Sequence, residues 1–252
     1  ACNAAGELFF CDSKAGRIYR IGEDHKTRIF ADQTGRITSL AFGPNGDLYG
    51  CKDAKQIVRF DAEGKEHILI ADAKCQSIVT LPSGFYINDT SSPALLWSTY
   101  EGGAAKVFTL PEAISGFTPT PDHAFLHMVH AEKQYTTSLR VRNDHQLDHR
   151  QQHGYLQLGF LNRYSGANGI VADTQGRLYV ASNVGVQVLD QLGRVNLILN
   201  KPPGVTINGL AFGGVRRDTL YITTGRSVYG RRLNTQGVRT FEAPIELPKP
   251  QL

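Results

Sequence analysis

The histidines of this chain are concentrated in one stretch. Six of the eight lie between residues 123 and 153, namely His123, His127, His130, His145, His149 and His153. Imidazole titrates near neutral pH and is a common zinc ligand. A spacing of four would place His145, His149 and His153 on one side of a helix or one face of a strand, as a zinc or general-base site. The polar sequence around them, RNDHQLDHRQQHGY, favours the alternative of an exposed hairpin with solvated histidines.

An internal repeat indicates the elements that must position such side chains. A tight turn followed by a short apolar strand recurs, and each copy can be anchored on one turn residue: Gly6, Gly46, Ser83, Ala124, Gly176 and Asp218. Successive anchors are 40, 37, 41, 52 and 42 residues apart, and passing from the last anchor through the chain end to the first adds 40. Six similar units therefore account for the whole length, as in a repeat architecture.

Each unit contains the same elements. An apolar inner run such as 38–42, 168–171 or 208–212 precedes a turn rich in Pro, Gly, Asn and Asp, and the anchor strand follows. Next come two alternating strands joined by a turn with glycine, as in QIVRFDAEGKEHIL, GVQVLDQLGRVNLIL and SVYGRRLNTQGVRTF. No segment has the pattern of a long helix. Four antiparallel strands per unit are typical of a propeller blade.

The predicted fold is therefore all-β, a six-bladed β-propeller of four-stranded antiparallel blades. We expect a single domain over residues 1–252. The first blade is expected to lack part of its inner strand, which leaves room for a further segment or domain upstream of residue 1. The spacing of 52 predicts an enlarged fourth blade at about residues 114–160.

Composition and charge indicate which classes of binding partner to expect. An apolar fraction of 41 % and a charged fraction of 20 % are typical of a soluble globular protein, and the net charge of +4 is spread along the chain. We therefore expect neither nucleic acid nor membrane as a partner, since no apolar run approaches the ~20 residues of a transmembrane helix. The late basic cluster is interpreted as a solvated rim. It comprises Arg216, Arg217, Arg226, Arg231 and Arg232.

The four cysteines lack the paired spacing that holds zinc. Cys2, Cys11, Cys51 and Cys75 are interpreted as separate thiols. A bridge from Cys11 to Cys2 or to Cys51 stays open for an exported protein, so the compartment stays open as well.

Three stretches carry a family resemblance. GANGIVADTQGRLYVASNVGVQVLDQLGRV and TINGLAFGGVRRDTLYITTGRSVY resemble the closing blades of the SMP-30/gluconolactonase/LRE-like family of six-bladed propellers, and GRITSLAFGPNGDLYGCKDAKQIVRFDAEGK is similar to an earlier blade. The resemblance implies hydrolysis of a sugar lactone or related ester. In that family a Ca²⁺ or other divalent cation, held by a Glu, two Asn and an Asp at inner-strand starts, activates water.

The resemblance places the cation ligands at specific positions here. The Glu would precede Cys2, the first Asn aligns with Cys75 beside Gln76, the second with Ser115, and the Asp with Asn168. Only Ser115 and Asn168 keep an oxygen suited to a hard cation, and neither carries charge. A carboxylate from outside the alignment would have to restore the site. The candidates are Glu7, Asp12 and Asp89.

The resemblance also places His130 at a strand end near the mouth of the propeller. There it would act as a proton acceptor, and the alternative is a histidine bonded to the backbone of a neighbouring blade. Cys75 would act as a nucleophile if it met a histidine, and the alternative is an inert buried cysteine. Both alternatives are favoured over the catalytic roles.

Uncharged polar residues open several inner strands, namely Thr38, Gln76, Ser115, Asn168 and Asn208. Together they predict a ring of hydrogen-bonding groups for a small polar ligand, and bonding to the adjacent inner strand is an equally open alternative. Two functions follow. The first is a gluconolactonase-like propeller that binds a sugar-lactone or ester ligand at the axial mouth, with hydrolysis weakened by the changed cation ligands. The second is a noncatalytic binding propeller within a larger protein.

Overall fold

The computed structural model describes residues 1–91 and 93–250, and every regular element in that part of the chain is a β-strand. None of the described residues form a helix capable of crossing a membrane. The strands form six small antiparallel sheets, and in each sheet the strands follow one another in chain order. The chain is thus all-β with the six-bladed β-propeller fold predicted above.

The first three sheets come from the N-terminal half. Sheet 1 contains β1 (Leu8–Asp12), β2 (Arg17–Ile21) and β3 (Thr27–Ala31). Sheet 2 contains β4 (Ile37–Phe42), β5 (Leu48–Lys52), β6 (Gln56–Phe60) and β7 (Glu66–Ile70). Sheet 3 contains β8 (Cys75–Leu81), β9 (Gly84–Asp89), β10 (Ala94–Thr99) and β11 (Gly102–Thr109).

The other three sheets follow. Sheet 4 contains β12 (Gly116–Pro119), β13 (Phe125–Val129), β14 (Tyr135–Val141) and β15 (Leu147–Tyr155). Sheet 5 contains β16 (Ile170–Ala172), β17 (Leu178–Ser182), β18 (Gly185–Leu189) and β19 (Val195–Leu199). Sheet 6 contains β20 (Gly209–Gly213), β21 (Thr219–Thr223) and β22 (Val228–Arg232). All six predicted anchor strands are present, as β1, β5, β9, β13, β17 and β21.

Two sheets have three strands in the described chain: sheet 1, for which an incomplete inner strand was expected, and sheet 6, for which four strands were predicted. In sheet 1 the place of the inner strand is marked by a single antiparallel bridge between Cys2 and Leu8. In sheet 6 the hairpin predicted in SVYGRRLNTQGVRTF forms only its first strand, and this prediction was wrong. Gly237 instead bridges Asp173, the residue after β16, and a Cβ at Gly237 would clash with the Cβ of Phe212, so a side chain would not fit.

Aspartate stabilises the recurrent turns by the same bonds. In the turn from Asp190 to Arg194, one carboxylate oxygen accepts the backbone N–H of Arg194 at 3.0 Å and the other accepts its Nε–H at 2.7 Å. Asp173 and Arg177 repeat this geometry at 3.0 and 2.7 Å. The turn of residues 190–193 ends at Gly193, whose φ of +81° and contact with the His153 carbonyl leave no space for a Cβ.

By contacts the chain divides into two compact units. Unit 1 comprises Ala1–Glu112, Gly213–Arg216 and Arg239–Ala243, and unit 2 comprises Ala113–Phe212, Arg217–Val238 and the described part of Pro244–Leu252. Each unit buries apolar side chains between neighbouring sheets. In unit 1, Phe9 packs edge-on against Phe42. In unit 2, Tyr179 packs edge-on against Phe212.

Candidate functional site

In unit 2, three candidate residues immediately precede or open the first strands of sheets 4, 5 and 6. Ser115 comes just before β12, Asn168 just before β16 and Asn208 just before β20. Because consecutive strands run in opposite directions, the β13–β14, β17–β18 and β21–β22 turns lie at the same ends of their sheets as these residues. We call this end of each sheet the leading end.

Hydrogen bonds connect the three leading ends. The Ser115 hydroxyl donates to the carbonyl of Ala167, the residue before Asn168. The Asn168 amide nitrogen donates at 3.4 Å to the carbonyl of Ile207, the residue before Asn208. Each side chain thus reaches the backbone next to the following candidate. Of the two interpretations given for the polar ring, ligand binding and bonding to the adjacent inner strand, the second matches the bonds that Ser115 and Asn168 form.

The same kind of bond occurs in unit 1. The Thr38 hydroxyl donates to the carbonyl of Gln76 at 3.0 Å and so connects sheet 2 to sheet 3. The side chain of Asn88, buried in β9, accepts the backbone N–H groups of Gln76 at 3.3 Å and Ser77 at 2.6 Å. It thereby holds the irregular start of β8. Asn88 was not among the predicted site residues, although its place as a polar residue within the mostly apolar strand GFYIND was a signal.

Free hydrogen-bonding capacity lies on amide side chains. Gln76 in unit 1 and Asn208 in unit 2 are exposed, and the side chain of neither bonds to another residue in the described chain. Asn168 uses its amide nitrogen, which leaves its carbonyl oxygen. An amide both donates and accepts, so these groups can recognise hydroxyls, ring oxygens and carbonyls without using charge.

The donor set does not match the cation site implied by the resemblance. None of the inner-strand positions carries a carboxylate, and no cluster of three or more His, Cys, Asp or Glu suited to a metal occurs among residues 1–91 and 93–250. The carboxylates considered as substitutes serve local structure. Asp12 accepts the N–H groups of its own turn, Asp89 accepts from Ser91, and Glu7 bonds to Asn3. Hard cations prefer charged oxygen ligands, so these residues fit Ca²⁺ poorly.

Cys75 forms a disulfide with Cys51, at a Cα–Cα distance of 5.6 Å. The interpretation of four separate thiols is wrong for this pair, because β5 and β8 belong to adjacent sheets and bring both buried sulfurs together. Neither of the bridges considered from sequence is the one observed, and Cys2 and Cys11 are free. A disulfide sulfur is not a thiolate, so the nucleophile role predicted for Cys75 has no support in this oxidised form.

His130 is 2 % exposed and both of its ring nitrogens are bonded. Nδ1 lies 2.9 Å from the carbonyl of Ala113, and Nε2 lies 2.9 Å from the hydroxyl of Thr137. A carbonyl only accepts, so Nδ1 carries the proton and Nε2 accepts from Thr137. This is the arrangement of a structural histidine, with a backbone partner as in the alternative interpretation, although that partner lies in the segment leading into its own sheet.

The three histidines spaced by four do not share a site. His145 lies in the turn before β15, His149 bonds to the neighbouring Asp148 at 2.6 Å, and the ring of His153 packs against that of His127 at 4.4 Å between centroids. His127 is buried, and its Nδ1 has no partner in the described structure. Burial, with a smaller contribution from His153, lowers the pKa of His127 to about 3.

Comparisons with known proteins identify the fold. No family model and no curated protein matches the sequence. Among solved structures, a gluconolactonase from Xanthomonas campestris matches with a TM-score of 0.78 at 18 % identity, covering 90 % of this chain and 82 % of that one. A luciferin-regenerating enzyme matches with a TM-score of 0.79 at 13 % identity, covering 96 % and 93 %.

A third solved structure is similar, that of regucalcin, a calcium-binding protein from Agrobacterium tumefaciens. It matches with a TM-score of 0.75 at 15 % identity, covering 97 % of this chain and 91 % of that one. These neighbours are consistent with the resemblance seen in the sequence. At such low identity they show a shared fold, that of a six-bladed β-propeller.

Proposed function

We propose that this protein is a gluconolactonase-like propeller that binds a small, uncharged ligand of the sugar-lactone or ester type where the inner strands begin. The shared fold supports the class of protein, and the chemistry of the leading ends supports the class of ligand. Amide and hydroxyl groups recognise ring oxygens, hydroxyls and carbonyls, whereas no carboxylate stands at these positions to attract a cation.

The observation that carries this proposal is the juxtaposition of Asn168 and Asn208. Asn168 donates to the carbonyl of Ile207, so the two asparagines lie on neighbouring strand starts. The bond orients the Asn168 side chain and leaves its oxygen as an acceptor, while the exposed Asn208 amide keeps both donors and its acceptor. With the second N–H of Asn168, the pair offers two acceptors and three donors, a set that a cyclic ester with vicinal hydroxyls can match.

Of the two functions considered, the residues of the candidate site favour ligand binding without catalysis over hydrolysis. Cys75 is part of a disulfide, and both nitrogens of His130 are bonded to other groups. The candidate nucleophile and the candidate base are therefore both engaged in structure. The aligned positions within this sequence, Cys75, Ser115 and Asn168, carry no carboxylate, so we derive no hydrolytic step through a metal. The residues that remain orient a ligand and satisfy its polar groups.

Ligand-observed NMR with glucono-δ-lactone and the stable δ-valerolactone tests the binding. Asn208→Ala is expected to weaken binding about fivefold, since one hydrogen bond contributes roughly 1 kcal/mol. Asn234→Ala is the matched control, because Asn234 is an exposed asparagine in the turn after β22, at the opposite end of sheet 6. Absence of binding by the wild type, or equal binding by the Asn208 variant, would refute the proposal.

Turnover is measured separately, by pH-stat titration of the acid released from the same lactones. We expect no rate above spontaneous hydrolysis, with or without added Ca²⁺. A calcium-dependent rate that disappears in Asn168→Ala would contradict the noncatalytic form and restore the hydrolase.

A further inference from the structure

An apolar loop lies at the leading ends of sheets 4 and 5. Residues 157–164, which we call the apolar loop, connect the end of β15 to the residues before β16. The segment after it bonds to the β13–β14 turn, since the Gly166 N–H donates to the carbonyl of Ala131 at 3.0 Å. It also bonds to the β17–β18 turn, since the Asn183 N–H donates to the carbonyl of Ser165 at 2.8 Å. These two turns lie at the leading ends of sheet 4 and sheet 5, respectively.

The base of the apolar loop is fixed by a buried amide. The side chain of Gln187, which has no exposed surface, accepts the N–H of Gln157 at 2.7 Å and donates to its carbonyl at 2.9 Å. At the other side, the Asn183 side chain donates to the carbonyl of Tyr164 at 3.2 Å. The loop therefore begins and ends at defined positions.

The tip of the loop exposes two apolar side chains. The Asn162 N–H donates to the carbonyl of Gly159 at 2.8 Å, which closes a turn with Phe160 and Leu161 at its centre. Their exposures are 102 % and 90 %, the highest of the large apolar residues in the described chain. Comparable turns have mostly polar or small centres: Pro44 and Asn45, Ala62 and Glu63, Thr174 and Gln175. Leaving Phe and Leu in water is unfavourable unless something covers them.

We propose that the tip of the apolar loop contacts the apolar part of the ligand, so that the preferred ligand is a lactone or ester with an alkyl or aryl substituent. This inference rests on the proposed function and narrows its ligand class. Only residues 165–167 separate the apolar loop from Asn168, so the apolar tip and the polar groups are close together in the sequence.

The chemistry of the polar groups supports the same assignment. The Ser115 hydroxyl proton and one of the two Asn168 amide protons are used in bonds to the backbone, so fewer donors remain for the ligand. Additional affinity then has to come from apolar area. Arg163 is the only charged residue between positions 155 and 170, which disfavours a cationic substituent. An uncharged lactone ring would match the polar groups at the strand starts, and an apolar substituent would match the tip of the apolar loop.

Binding of γ-butyrolactone and γ-decanolactone, measured by ligand-observed NMR, tests the inference. Each buried methylene is expected to tighten binding about fourfold, so wild-type protein should prefer the decanolactone by at least fiftyfold. In the double variant F160S/L161S the preference should fall below fivefold, with binding of butyrolactone unchanged. The control is Leu192→Ser, an exposed leucine in the β18–β19 turn at the opposite end of sheet 5, which should keep the full preference.

The outcomes separate the two proposals. If both lactones bind but the preference survives in F160S/L161S, or falls equally in Leu192→Ser, this inference is wrong and the proposed function stands. If F160S/L161S instead loses binding to phosphatidylcholine vesicles while its lactone preference is unchanged, the tip serves a lipid surface and the inference is wrong. If wild-type protein binds neither lactone, both proposals fail together. Unchanged thermal melting of the variants confirms that they are folded.

Discussion

The disulfide between Cys51 and Cys75 gives the sharpest prediction, because it joins β5 of sheet 2 to β8 of sheet 3. Reduction removes this covalent connection without changing any atom that packs in the core, since buried free cysteines behave as small apolar residues. We therefore expect reduction alone to lower the free energy of unfolding, with the fold preserved under native conditions.

The magnitude follows from the length of the closed loop. The two cysteines are separated by 24 residues, and the loop-closure relation gives a loss of about 3.5 kcal/mol at 25 °C. Unfolding entropy is about 2.1 cal/mol/K per residue, so a chain of 252 residues has roughly 0.5 kcal/mol/K. The melting temperature should therefore fall by about 7 °C on reduction.

Differential scanning calorimetry with and without a phosphine reductant measures this change. C51A/C75A should melt near the reduced protein and should not respond to the reductant, whereas the control C2A/C11A should keep the full response, since Cys2 and Cys11 are free. Thiol titration of the denatured, unreduced protein should detect two thiols, rising to four after reduction. Four thiols before reduction, or a melting temperature unaffected by reduction, would refute the reasoning.

Three further predictions concern buried groups and turns. The pKa of His127 is about 3 in the folded protein and near 6.5 in the unfolded chain, so the unfolded chain binds the proton more readily as the pH falls below 6.5. The free energy of unfolding should therefore decrease by about 2 kcal/mol between pH 7 and pH 5. Urea unfolding at pH 7 and pH 5 should show a smaller decrease in His127→Gln. Gly193→Ala should cost several kcal/mol, because it combines a positive φ with a contact to backbone, whereas Gly46→Ala, at φ +84° with nothing within 4 Å, should cost about 1 kcal/mol in the same assay. Asp173→Ala should cost about 1–3 kcal/mol, because the hydroxyls of Tyr179 and Thr235 lose their acceptor, and a loss no greater than that of the more exposed Asp190→Ala would contradict this.

The blade pattern could be predicted from sequence because turn chemistry is local. The anchor strand β17, for example, follows a turn in which Asp173 accepts the backbone N–H groups of Gln175 and Arg177, two and four residues further along the chain. The missing strand of sheet 6 could not be predicted in the same way. Residues near Gly237 have a suitable local pattern, but bonds to the end of β16 compete for their backbone, including Val238 N–H to the carbonyl of Ala172. This competition depends on which residues the fold brings together.

The candidate site shows the same limit. The residue types at the strand starts indicated polar recognition, but the partners of those side chains lie far away in the chain, as with Ser115 and Ala167, 52 residues apart. The partner of Cys75 likewise follows from the packing of adjacent sheets, which a single sequence does not encode as a local pattern. His130 was placed correctly at a strand end, and its bonds to Ala113 and Thr137 are what determine its role.

The bonds from Ser115 to Ala167 and from Asn168 to Ile207 have a consequence for how this protein can change. A substitution that alters ligand preference at either residue also loosens one blade from the next, so affinity and rigidity cannot be selected independently there. The Asn208 side chain donates to no neighbour among residues 1–91 and 93–250. We therefore expect new specificities to arise first at Asn208 and in the apolar loop, where a change of side chain leaves the seams between blades intact.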